Sequence, residues 1–227
     1  MSTQAGATIA AIDAAAPDWF APLERHLARV LGDLVGEADE RVRLALALAC
    51  RQVSHGHVCL DVPATAASGG PVDERGEPLA DLAWPAAGPW LDALASSRLV
   101  WVVPDGAPLG DVAPEPRPLV LELPSGRLTV RRWWEHEAVL AADLTRRASV
   151  GREHDRGGLQ EGLDRLFPPV EGAGDAGRRD QAEAAARVVR RALCVITGGP
   201  GTGKTTTVVR VLALLVEQAL AAGADPP

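Results

Sequence analysis

Apolar positions along this chain fall into two rhythms. Helical spacing is predicted over residues 18–34, with Phe20, Leu23, Leu27, Val30, Leu31 and Leu34 on one side. A second helix is predicted over residues 39–53, with Asp39 as its N-cap and acidic residues in its first turn. The centre of that helix, residues 44–50, is apolar all round, as in a buried helix. Gly56 ends it, and residues 57–60 read as a short strand. Residues 63–78 read as a turn-rich loop, 90–97 as a short helix and 99–103 as a strand. Residues 119–123 and 127–130 flank Pro124-Ser125-Gly126, a hairpin signal. Helical patterns return at 133–147, at the stripe Leu159, Leu163, Leu166, Phe167, and at 179–191. Residues 193–197, apolar and β-branched, read as a strand buried on both faces. Val208, Val211, Leu212, Leu215 and Val216 then predict a last helix.

Punctuation groups these elements. Residues 1–17 are Ala-rich and expected to be disordered. Residues 168–178, with two prolines and three glycines, read as a linker. The expected organisation is a small mixed α+β domain over 18–167, then the start of an α/β parallel-sheet domain over 179–227. That second domain is expected to be incomplete, because one strand and two helices do not make a sheet.

Composition sharpens the picture at one residue. The chain has 23 Lys and Arg, and only Lys204 is lysine. It lies in Gly198-Gly199-Pro200-Gly201-Thr202-Gly203-Lys204-Thr205, which fits the Walker A pattern between a predicted strand and a predicted helix. A loop wound round a phosphate chain has room for a thin ammonium stem and not for a planar guanidinium fork. Backbone N–H groups of Gly198 to Thr206 would face the phosphates, Lys204 would reach the β and γ phosphates, and the Thr205 hydroxyl would hold Mg²⁺. The phosphates of ATP or GTP, with Mg²⁺, are therefore the expected ligand.

Charge is unevenly spread. Residues 1–126 carry 8 Arg against 17 Asp and Glu, while residues 178–210 carry 6 Arg and Lys204 against Asp180 and Glu183. The acidic front is a poor surface for DNA phosphates and suits a protein partner or solubility. The basic back suits polyanions, or is the solvated face of a helix bearing Arg187, Arg190 and Arg191. No apolar run is long enough to span a membrane, Met1 to Thr8 lack a signal-peptide pattern, and three scattered Cys make no disulfide framework. A cytoplasmic location is expected. The acidic pair Asp73-Glu74 lies in a Pro/Gly loop before the phosphate loop and reads as solvated, not as a Walker B motif. His55, His57 and Cys59 alternate, so one strand would put them on one face, but with Cys50 they match no zinc spacing. Of Trp133 and Trp134, at least one is expected in the core.

Residues 196–207 resemble motif I of superfamily 1 helicases. Gln181, seventeen residues before Gly198, resembles their Q-motif glutamine, whose amide reads adenine. Residues 54–60, the hairpin leading into Arg131-Arg132-Trp133-Trp134-Glu135-His136-Glu137, and residues 163–168 are similar to the RecD family, the alpha subunits of exodeoxyribonuclease V. The resemblance implies an ATP- and Mg²⁺-driven 5′-to-3′ DNA helicase subunit. Its partners would be RecB-like and RecC-like subunits, and its N-terminal domain would dock on the latter. It also implies that motifs beyond motif I are missing here, so the 227 residues alone are expected not to hydrolyse ATP. Two alternatives stand beside it: an assembly module with a vestigial nucleotide site, and another P-loop ATPase.

Overall fold

The computed structural model describes residues 6–68, 72, 82–103, 116–123, 125–169 and 174–224. The chain forms two compact units, Met1–Val139 and Leu140–Pro227.

The first unit begins with α1 (Ile9–Ala15), where disorder was expected. Thr8 caps it by accepting from Ala11 N at 3.1 Å, and Ile12 is buried. Next come α2 (Pro22–Val35) and α3 (Glu40–Ser54). The buried face of α2 is Glu24, Ala28 and Gly32, one helical row, while Leu23, Val30 and Leu34 are exposed. The expected apolar stripe is thus rotated. Small residues at 28 and 32 let α2 lie close to its neighbours, and a Cβ at Gly32 would meet the Arg43 guanidinium at 2.8 Å. Helix α3 is buried from Leu44 to Ala49, as its all-round apolarity demands.

Asp39 caps α3 through Arg41 N at 2.9 Å and pairs with the Arg41 guanidinium. The side-chain hydrogen bond from Arg41 holds the Asp39 carboxyl below its usual range. A depressed folded value gives stability that is present above the unfolded value, about 3.9, and lost as pH falls through the folded one. Asp39→Ala should therefore cost about 1 kcal/mol at neutral pH. In urea titrations that difference should shrink below about pH 4; a difference equal at pH 3 and pH 7 would refute the assignment.

Helix α3 ends with Gly56 at φ +83°. His55 still belongs to its C-cap, and strand β1 (Cys59–Asp61) starts only at Cys59. His55, His57 and Cys59 therefore do not share a strand face. Among the described residues no group of three His, Cys, Asp or Glu is placed to hold a metal. Cys50, Cys59 and Cys194 are free and half-buried, and burial, with Glu24 adding, pushes the Cys50 thiol up to about 11.

The chain continues through α4 (Val62–Ala67), α5 (Ala87–Ser96), β2 (Val100–Val103), β3 (Leu119–Glu122), β4 (Arg127–Val130) and α6 (Arg131–Ser149). Helix α4 replaces the first part of the expected loop: Asp61 caps it through Ala64 N at 2.8 Å, and a proline sits in its first turn. Residues 73 and 74 lie outside the described residues. The four strands pair in the order β1-β4-β3-β2, with β2 and β3 parallel and the other pairs antiparallel. Gly126 makes the β3–β4 turn at φ +68°, and a Cβ there would strike Pro63 at 2.6 Å. Trp90, fully buried, donates its indole N–H to the Arg41 carbonyl at 2.9 Å. Trp134 is buried edge-on to Trp101, and Trp133 is 41% exposed.

The second unit holds α7 (Arg156–Leu166), α8 (Gly174–Arg190) and α9 (Lys204–Ala221). Leu159, Phe167, Ala185, Val189, Val211 and Leu214 form its core. Helices α7 and α9 touch closely, because Gly162 leaves no room for a Cβ beside Leu214. Two features depart from expectation. The compact units divide at Val139/Leu140, whereas the sequence places a linker at 168–178, and α8 already begins at Gly174. Residues 193–197 are not a strand among the described residues, and Val195 is 77% exposed. A strand exists only as one side of a ladder, and apolar β-branched composition cannot supply the other side.

Candidate nucleotide site

The phosphate-loop residues lie between residues 193–197 and α9, and their geometry follows from glycine. Gly201 and Gly203 sit at φ +76° and +78°, where a side chain is strained. At Gly198 a Cβ would meet Thr202 Oγ1 at 2.7 Å. The loop closes on itself through two side chains. Thr202 Oγ1 donates to the Gly199 carbonyl at 2.9 Å. Lys204 Nζ donates to the carbonyls of Gly198 and Gly199, both at 2.6 Å. Pro200 and Gly201 form the exposed tip.

Gly203 is the N-cap of α9 and offers no side-chain acceptor, so the first-turn N–H groups of an 18-residue helix have no capping side chain. Thr207, buried, returns its hydroxyl to the Gly203 carbonyl at 3.0 Å and locks the first turn. Thr205 and Thr206 are exposed on that turn. A cleft of about 270 Å³ runs beside the loop, lined by Gln181, Thr197, Gly198, Thr202 and Lys204 among others. Gln181 donates Nε2–H to the Thr202 carbonyl at 3.0 Å.

The structure thus brings together Gln181, Gly198, Thr202, Gly203 and Lys204, with Gly199 bonded into the same loop. Gly177, Asp180 and Ala184 also line the cleft and were not singled out from sequence. Their spacing with Gln181 on α8 is one helical face, a signal that was available. The residues fit a phosphate chain. An ammonium with three donors, a helix N-terminus and glycines that keep side chains away converge on one small cleft. Of the basic back end, Arg187 is tied to Glu183 at 2.5 Å on the exposed side of α8.

Residues 16–128 match the family model described as RecBCD enzyme subunit RecD, N-terminal domain. Residues 181–223 match the model of an AAA domain, which begins at Gln181 itself. Over 206 residues, 91% of the chain, the sequence is 39% identical to RecBCD enzyme subunit RecD of Mycolicibacterium smegmatis, covering 31% of that protein. Over 203 residues, 89% of the chain, it is 38% identical to the protein of the same name from Mycobacterium tuberculosis, covering 29% of it. The chain spans less than a third of the length of these curated relatives. With both models in sequence order and this identity along nine-tenths of its length, the chain belongs to the RecD family.

Proposed function

We propose that this chain supplies the partner-docking unit and the ATP-phosphate site of a RecD-type helicase subunit. The whole protein would be an ATP-dependent 5′-to-3′ DNA motor, working in the cytoplasm with RecB-like and RecC-like subunits on double-strand breaks. The observation that carries this is the loop closed around Lys204, inside the AAA match and downstream of the RecD N-terminal match. Gly198 to Thr206 would wrap the phosphates, Lys204 would neutralise them, and Gln181 would contact adenine. Mg²⁺, held by the Thr205 hydroxyl, would supply charge neutralisation on the β and γ phosphates.

Binding and turnover separate here. Phosphoryl transfer needs a carboxylate on the metal, a positioned water and a charge clamp. Among the described residues, the one carboxylate lining the cleft is Asp180, on the α8 wall with Gln181. The 227 residues should therefore bind Mg-ATP without hydrolysing it. Calorimetry should show saturable binding, and phosphate release should not exceed that of a Lys204→Ala control; turnover above that control would overturn this part of the reading.

The acidic first unit, with its own buried core, supports a docking role for it. The chain should be captured by immobilised RecB-like and RecC-like subunits. Capture without ATP binding would favour an assembly module with a vestigial site, and absence of capture would sink the docking role.

A further inference from the structure

A glutamine that only reads adenine has no need to touch the phosphate loop, yet Gln181 does. Its Nε2 donates to the Thr202 carbonyl, and the same nitrogen lies 2.9 Å from where a Cβ on Gly203 would stand. The orientation of the amide is fixed by chemistry. A backbone carbonyl accepts only, so the NH₂ group and not Oε1 must face Thr202. The consequence passes to the next residue. In a planar trans peptide the C=O and the following N–H point opposite ways. Drawing the Thr202 carbonyl toward α8 therefore turns the Gly203 N–H away from α8. Gly203 is the left-handed residue at φ +78° that starts α9 one position before Lys204. Fixing that peptide plane fixes where the first turn of α9 and the root of Lys204 begin.

We propose that Gln181 is a positioning residue for the phosphate loop: by pinning the Thr202–Gly203 peptide it sets the loop for phosphate, whether or not a base is present. Oε1 and the second Nε2–H remain for a base edge, so one side chain links the base and phosphate ends of the cleft. This rests on the phosphate-binding reading above, and inorganic tripolyphosphate, which has no base, tells the two apart.

The test uses the whole chain with Mg²⁺ and either tripolyphosphate or ATP, read by calorimetry. Gln181→Met keeps the length of the side chain and loses the donor; Gln181→Ala removes both. Gln181 is only half-buried, so both variants should keep the wild-type unfolding transition. Both should bind tripolyphosphate roughly three- to tenfold more weakly than wild type, the size of one lost hydrogen bond. ATP should weaken further, because the base contact goes too. Wild-type affinity for tripolyphosphate in both variants overturns the proposal, whatever happens to ATP. A wild-type chain that ignores tripolyphosphate overturns the phosphate-site reading itself. Weakened binding accompanied by a lowered unfolding transition in both variants also counts against positioning, since it marks a general loss of fold.

Discussion

Lys204→Ala should weaken Mg-ATP binding at least about a hundredfold while leaving the fold intact. The ammonium makes two 2.6 Å bonds to the Gly198 and Gly199 carbonyls, and its side chain is exposed, so no core depends on it. A bound phosphate chain would take up these donors. Hydrogen bonds to charged groups are worth about 1.5–3 kcal/mol each, so losing two of them, about 3 kcal/mol or more, gives a loss of at least about a hundredfold. Lys204→Arg should recover little of it. Two carbonyls already close on the nitrogen, and a planar fork with five donors does not replace a compact point charge on a thin stem. Fluorescence anisotropy with a labelled ATP analogue would measure both variants. Affinity within about threefold of wild type for Lys204→Ala would remove the lysine from the site, because even one neutral hydrogen bond is worth that much.

The same lysine shows what a sequence discloses. Its uniqueness among 23 cationic residues, and the glycines around it, were visible because backbone conformation and steric room act locally. Helix α3 and the β3–β4 hairpin were visible for the same reason: an Asp N-cap, an all-apolar centre and a Ser-Gly turn each act within a few residues. What was hidden depends on contacts distant in sequence. The face that α2 buries is set by what lies against Ala28 and Gly32, and small residues carry little hydrophobic signal. Residues 193–197 have strand composition, but pairing is decided by a neighbour. The division at Val139/Leu140 falls inside α6, in a stretch with no proline or glycine to mark it. Gln181 was singled out by its resemblance to a Q-motif glutamine, yet its bond to Thr202, twenty-one residues away, was not legible. Helix α4 was legible in principle, since Asp61 followed by Pro63 is a helix-start signal, and the glycines and prolines after it outweighed that signal.

Trp90→Ala should be the most damaging single change in the first unit, and it should spare the second. Trp90 is fully buried, packs near Trp84 and spends its indole N–H on the Arg41 carbonyl. Removing a side chain of that size from a closed core costs about 3–5 kcal/mol, from a total stability of roughly 5–15 kcal/mol for a domain. The first unit should therefore unfold at much lower urea, or fail to fold at all at 37 °C. Trp133→Ala is the matched control. That ring is 41% exposed, and its loss should cost less than about 1 kcal/mol. The chain provides its own probe, because Trp19, Trp84, Trp90, Trp101, Trp133 and Trp134 all lie before Leu140. Tryptophan emission reports the first unit alone, and tripolyphosphate binding reports the second through Lys204. In Trp90→Ala the emission transition should shift to low urea while phosphate affinity in buffer stays at the wild-type value. Loss of both signals together would show that the loop around Lys204 is held only while the acidic unit is folded, and the division at Val139/Leu140 would then not be a division in stability.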